Sequence, residues 1–243
     1  TTVAGSILRV GGVAAQTTLT VASGFTNNGS LQLTNTGGGF NAQLTVTTGT
    51  LTNSSTGTIL STFAAFGGSR TLAAQLDNQG TVTVSYPLTI SRASAVHVNS
   101  GAINVSGSDL TLTQTGTTPS FTNTGTVTLS ANQTWTVTGG TLDLTAGLVS
   151  GASGTLSVGG TASYQFTTAT VTTPMLLAAS ITINAGAITV PSLETLTLLS
   201  GTGIDETISN SGTINVGGTV AFNGALTTVA GSILRVGGVA AQT

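Results

Sequence analysis

The chain contains no cysteine and no lysine, one histidine, one tryptophan, one methionine and four prolines, and its 243 residues carry only four basic and six acidic side chains. Each shortage excludes something. Without cysteine there are no disulfides, no thiolate metal sites and no cysteine nucleophile. Without lysine, Arg9, Arg70, Arg92 and Arg235 stand too far apart to neutralise phosphates, so nucleic-acid binding and a basic membrane-surface patch are not expected. No run approaches the roughly 18 apolar residues of a membrane span, so membrane insertion is not expected either. The chain does not open on the charged and apolar segments of a signal peptide. A charged fraction of 4%, against about 25% in an ordinary soluble domain, means that the usual water-facing surface is missing.

What is present points to strands. There are 34 glycines and 52 threonines; both residue types are poor helix formers, and threonine suits a pleated surface. Residues 1–17 read TTVAGSILRVGGVAAQT, and residues 227–243 repeat that sequence without a change. The expected organisation is one long tandem repeat over 1–226, a continuous solenoid, with 227–243 the start of the next, which places Thr1 inside a longer chain. An engineered duplication is the alternative.

A shorter period lies inside the long one: an apolar residue, any residue, Asn, any residue, Gly, and then alternating apolar residues. Clear copies carry Asn27 and Gly29, Asn53 and Gly57 (with two extra residues between them), Asn78 and Gly80, Asn123 and Gly125, and Asn210 and Gly212. Looser copies carry Asn99 and Gly101, Asn184 and Gly186, and Gly154 without an Asn; VAGSIL around Gly5 and Gly231 is the weakest. These markers tile the long repeat as nine units, and units of roughly 20–30 residues with short strands and Gly/Asn corners are rungs of a parallel β-solenoid. The fold class expected is therefore all-β. Nine rungs spaced by about 4.8 Å would rise roughly 43 Å per repeat.

The same architecture accounts for the missing charge. Strand-to-strand stacking repeats every side-chain position about 4.7–4.9 Å away, where like charges repel, and neutral threonine does not. At the corners, Asn is expected to tolerate left-handed backbone, Gly to supply positive φ, and stacked Asn side chains to bond along the axis as in cross-β ladders. Both ends of the segment would be open strand edges, which template further pairing unless capped or continued.

The Asn-x-Gly rungs, the Thr and Gly richness and the lack of Cys and Lys resemble the β-solenoid shafts of bacterial surface adhesins, filamentous haemagglutinin and autotransporter passenger domains being the nearest families. The resemblance spans the whole chain and implies an extracellular or cell-surface location and a structural or adhesive role. The partners it implies are adjacent copies of the same repeat, with surface glycans or other cells as further candidates. It carries no binding residue across, because no Arg-Gly-Asp triplet, basic cluster or secretion domain is present.

Some β-helices are polysaccharide lyases or hydrolases, whose sites need converging carboxylates. Here Asp77, Asp109, Asp143 and Glu194 are scattered, and the adjacent Asp205 and Glu206 read as a solvated turn or a weak cation site. His97 has no ligand companion nearby and reads as a structural histidine. Neither a G-x-S-x-G elbow nor a calcium nonapeptide occurs. No catalytic residue, metal or cofactor is expected. Trp135 reads either as a rung filler or as a sugar-stacking platform, and Asn28, Asn53, Asn104 and Asn132 begin glycosylation-type triplets. The pairs Thr45/Thr47, Thr81/Thr83, Thr111/Thr113, Thr126/Thr128, Thr136/Thr138 and Thr195/Thr197 resemble ice-binding faces, but only Thr81/Thr83 and Thr126/Thr128 share an offset from the marker glycine, and the scatter of the others predicts neutral outward filler. The function expected is a rigid, protease-resistant fibre or stalk segment, the alternative being a solenoid module that binds glycan, ice or a host receptor.

Overall fold

The computed structural model describes residues 1–63, 67–144, 146–151, 154–159, 163–170, 175–177, 182–200, 202–204 and 207–237. They form a parallel β-solenoid with no helix among them. The chain winds through three stacked faces. The first is a seven-stranded ladder: Ile7–Gly12, Ser30–Asn35, Thr58–Ser61, Thr81–Val84, Ala102–Val105, Thr126–Leu129 and Leu148–Ser150.

The second face is longer. It begins with the leading halves of Thr17–Asn27, Ala42–Asn53 and Arg70–Asn78, then continues through Leu88–Ser91, Leu110–Thr113, Thr134–Thr138, Thr155–Gly159, Met175–Leu177, Thr195–Leu199, Thr213–Gly217 and Ile233–Val236. The trailing halves of the three long strands start the third face, which runs on through Val96–Asn99, Ser120–Asn123, Thr141–Asp143 and the leading halves of Ser163–Thr170 and Thr182–Val190, whose trailing halves, with Ile208–Asn210 stacked on the last, run ahead of the second-face strands. Register shifts at Ser23/Phe25 and Thr45/Thr50 bend the long strands from one face to the next. Higher up, a turn replaces the bend and the strand divides in two.

Strict alternation fixes what lies inside. In Arg70–Asn78 every second residue is buried, because successive side chains of a strand point to opposite faces. Parallel pairing then stacks like on like. Leu31, Ile59, Val82, Ile103, Val127 and Val149 form one inward column, and all but Val149, at 7%, are fully shielded from solvent. Each buried Leu, Ile or Val contributes about 1.5–3 kcal/mol. With the columns of the other faces, this column forms one core among the described residues.

A ladder of asparagines and a face of threonines

One corner of the solenoid is a ladder of amides. Asn27, Asn53, Asn78, Asn99 and Asn123 each end a third-face strand and point inward, fully shielded from solvent. Asn27 Nδ2 donates to Asn53 Oδ1 (2.8 Å), Asn53 to Asn78 (2.7 Å), Asn78 to Asn99 (2.6 Å) and Asn99 to Asn123 (2.7 Å). Thr2, which carries no Asn-x-Gly signal, starts the series: its hydroxyl donates to Asn27 Oδ1 at 2.8 Å. Each Nδ2 also reaches the carbonyl of its own marker glycine and one carbonyl of the next turn, as Asn78 does to Gly80 (3.4 Å) and Ala102 (3.1 Å). Every amide dipole points the same way, so neighbouring bonds polarise one another. The two residues inserted before Gly57 bulge outward at Ser55 and Thr56, leaving Asn53 in line.

The marker glycines serve a different purpose from the one expected. Gly29, Gly57, Gly80, Gly101, Gly125 and Gly212 do not have positive φ, and neither do the ladder asparagines; of the markers only Gly5 and Gly231 do. What these positions exclude is a Cβ. On Gly80 it would lie 2.2 Å from the Ser54 carbonyl oxygen, on Gly101 2.1 Å from that of Gly80, and on Gly125 2.1 Å from that of Gly101. The corners stack backbone on backbone with no space between. Gly147 does the same work above Asn123, where an added Cβ would lie 2.4 Å from its Nδ2; no Asn precedes it, so the sequence does not mark it.

The remaining corner motifs differ. Asn184 and Gly186 lie inside the strand Thr182–Val190, with Asn184 opposite Gln165, so this copy is strand and not corner. The position above Asn123 falls to Leu144, which ends the ladder. Asn210 stands at a different corner, immediately before the second-face strand Thr213–Gly217, where it accepts from Gly212 N (3.1 Å) and donates to the Ile233 carbonyl (3.1 Å). Gly154 likewise precedes the second face.

Threonines align on the second face. Thr18, Gln43, Thr71, Thr89, Thr111 and Thr136 form one outward column, and Thr20, Thr45, Ala73, Ser91, Thr113 and Thr138 form its neighbour. Thr111/Thr113 sit in register beneath Thr136/Thr138, which corrects the expectation of scatter for these two pairs. Offsets counted from the marker glycine mislead because the segment joining the first face to the second changes length from rung to rung. On the first face, Ala102 and Asn104 separate Thr81/Thr83 from Thr126/Thr128.

Trp135 is fully buried, with Phe121 at 5.4 Å edge to face, which removes the sugar-platform reading. Asn53, also fully buried, presents no glycosylation acceptor. Arg70 is shielded as well. Its guanidinium donates to the carbonyls of Thr62, Phe40 and Ser69 and lies 4.7 Å over the Tyr86 ring, and burial pushes its pKa down. The carboxylates do not converge: Asp77 accepts from Gln79 and Asp109 from the Thr134 N–H, Asp143 is on the third face, and Glu194 sits at a corner where burial raises its pKa. Asp205 and Glu206 lie outside the described residues.

His97 is the one interior imidazole. Its Nδ1 accepts from Leu76 N (3.2 Å), its Nε2 has no partner, and Phe121 covers it at 6.3 Å. Burial, reinforced by the charge of Arg92, lowers its pKa to about 4. An unfolded imidazole protonates near 6.5, so between those values the unfolded chain binds a proton that the folded chain refuses. The stability that His97 contributes is complete above pH 6.5 and is lost as the pH falls towards 4. Urea titrations across this window should show a loss of about 3 kcal/mol, and His97→Leu should flatten the slope whatever its own baseline. Equal slopes in the two proteins would overturn the assignment.

The chain matches no protein-family model, no curated protein and no solved structure. The geometry above and the duplicated sequence are what bear on function.

Proposed function

We propose that this chain is a structural segment of a long extracellular bacterial fibre or adhesin stalk, in which repeats stack end to end into one rigid, protease-resistant rod. One observation carries the reading. The strand ILRV occurs twice, and its two copies have neighbours on opposite edges. Residues 7–10 pair upward with Ser30–Leu33; residues 233–236 pair downward with Thr213–Val216. Taken together, the identical strand has a partner on each side, in register. Leu8 and its copy Leu234 fall between Ile214 and Leu31, and Val10 and its copy Val236 between Val216 and Leu33. The inward columns thus run through the repeat boundary without a break.

Such a rod needs no ligand to perform its role. Strength comes from main-chain bonds along the axis, and resistance to trypsin-like proteases from the absence of lysine and from continuous pairing. The location is tested on intact cells that produce the protein: antibodies added from outside should decorate long thin projections, and decoration only after lysis would overturn an extracellular role. A second reading, a binding module for ice or another ordered surface, is favoured by the two threonine columns. It requires thermal hysteresis in solution that Thr111→Lys abolishes.

A further inference from the structure

We infer that each repeat advances the solenoid by a whole number of turns plus one face, so that the surface offered to the next copy of the repeat is turned by a third of a revolution. This rests on the end-to-end stacking proposed above. The duplicated strand supplies the first observation: Ile7–Gly12 lies in the seven-stranded first face, whereas Ile233–Val236, the same sequence, lies at the top of the second. Ten successive pairings climb the second face from Thr17–Asn27 to Ile233–Val236. The strand Ile7–Gly12 precedes the first of them by one face.

The amide ladder gives a second observation. Its members up to Asn123 stand where the third face turns into the first. Asn210 stands one corner further on, ahead of the second face, and its strand partner above is Thr228. Thr228 is the copy of Thr2, the residue whose hydroxyl starts the ladder at Asn27. In a tandem array Asn210 therefore lies directly beneath the next ladder, and the polar seam is in phase across the boundary only if the repeat ends one face ahead of where it began.

The hand-over is localised. Gly147 packs against Asn123 at the old corner, ahead of Leu148–Ser150; Gly154, seven residues on, packs against Leu129 and Ser130 ahead of Thr155–Gly159. Two close-approach glycines on adjacent corners move the seam by one face. The consequence is a rod whose outward columns wind. The threonine face of one repeat is continued by the first face of the next, whose own threonine face stands over the third, and three repeats restore the starting orientation. A ligand needing a flat threonine face longer than one repeat would not find it, which favours the structural reading over the ice-binding one.

Cysteine pairs test this in the 243-residue chain, which has no thiol of its own. Neighbouring outward positions on adjacent strands lie within the Cα separation that a disulfide spans, and such surface changes cost little stability. Asn215→Cys with Arg235→Cys reads the stacking of the second copy on the first repeat. Thr136→Cys with Ser157→Cys reads the one-face advance, because Ser157 pairs with Thr136 on the second face. Thr128→Cys with Ser157→Cys reads the alternative, in which Gly154 begins another first-face strand. The first two pairs should oxidise at least about tenfold faster than the third. Failure of the 215/235 pair overturns the stacking itself. Closure of 215/235 with 128/157 in place of 136/157 leaves stacking intact and overturns the advance.

Discussion

Replacing Asn78 by alanine is expected to cost about 3–5 kcal/mol, a large share of the roughly 5–15 kcal/mol that holds a single domain folded. Asn78 accepts from Asn53 Nδ2 at 2.7 Å and donates to Asn99 Oδ1 at 2.6 Å, and it also holds the carbonyls of Gly80 and Ala102. Its side chain is fully shielded from solvent. Truncation leaves the Asn99 oxygen and two carbonyls without that donor, and a buried orphan costs about 1–3 kcal/mol. If the ladder acts as a polarised chain, position decides the size of the effect. Asn123→Ala, at the end where Leu144 follows, should cost clearly less, because no amide beyond it loses a partner. Urea denaturation of both variants checks this, and equal losses would reduce the ladder to independent bonds.

Gly101→Ala should be at least as damaging, about 3 kcal/mol or more, although alanine fits the backbone conformation there. The added methyl would lie 2.1 Å from the Gly80 carbonyl oxygen and 2.7 Å from the Gln79 carbonyl carbon. Both are backbone in the turn below, so neither can swing aside. Gly39→Ala provides the control, having nothing within 4 Å and no positive φ. It should be neutral or should stabilise by about 0.4–1 kcal/mol through the unfolded chain. Comparable losses at Gly101 and Gly39 would refute the close-approach explanation of the Asn-x-Gly motif.

Much of this architecture is legible in the residues because a solenoid is nearly one-dimensional. Alternation in segments such as LDNQGTVTV places Leu76 and Asn78 inside without further information, and the recurrence of Asn before Gly marks a corner. Three features are not legible, for physical reasons. Glycine is demanded by left-handed backbone and by crowding alike, and only the distance from Gly101 to Gly80 tells them apart. Thr2 and Gly147 belong to the amide corner through contacts made one turn of the solenoid away, and the letters around them carry no sign of it. The threonine columns were obscured because the linkers between faces vary, from Asn35–Ala42 to Val84–Leu88, while pairing keeps the strands in register. Asn184 shows the converse: its surroundings match the motif, yet the strand runs straight through it.

The second-face ladder also revises the length of a repeat. Ten pairings and one additional face separate Ile7 from its copy Ile233, where the marker glycines tile nine units, because the markers change corner on the way. At about 4.8 Å per step the climb from Ile7 to Ile233 is about 50 Å, and not the roughly 43 Å expected from the glycines alone.

That rise is the most direct test of continuous stacking. Cryo-electron microscopy of the native protein should follow the backbone from Thr213–Gly217 into Ile233–Val236 and onward as unbroken density. The axial rise per repeat measured along it should be about 50 Å, with a third of a revolution between one repeat and the next. A compact particle with closed ends and no axial period would contradict the account.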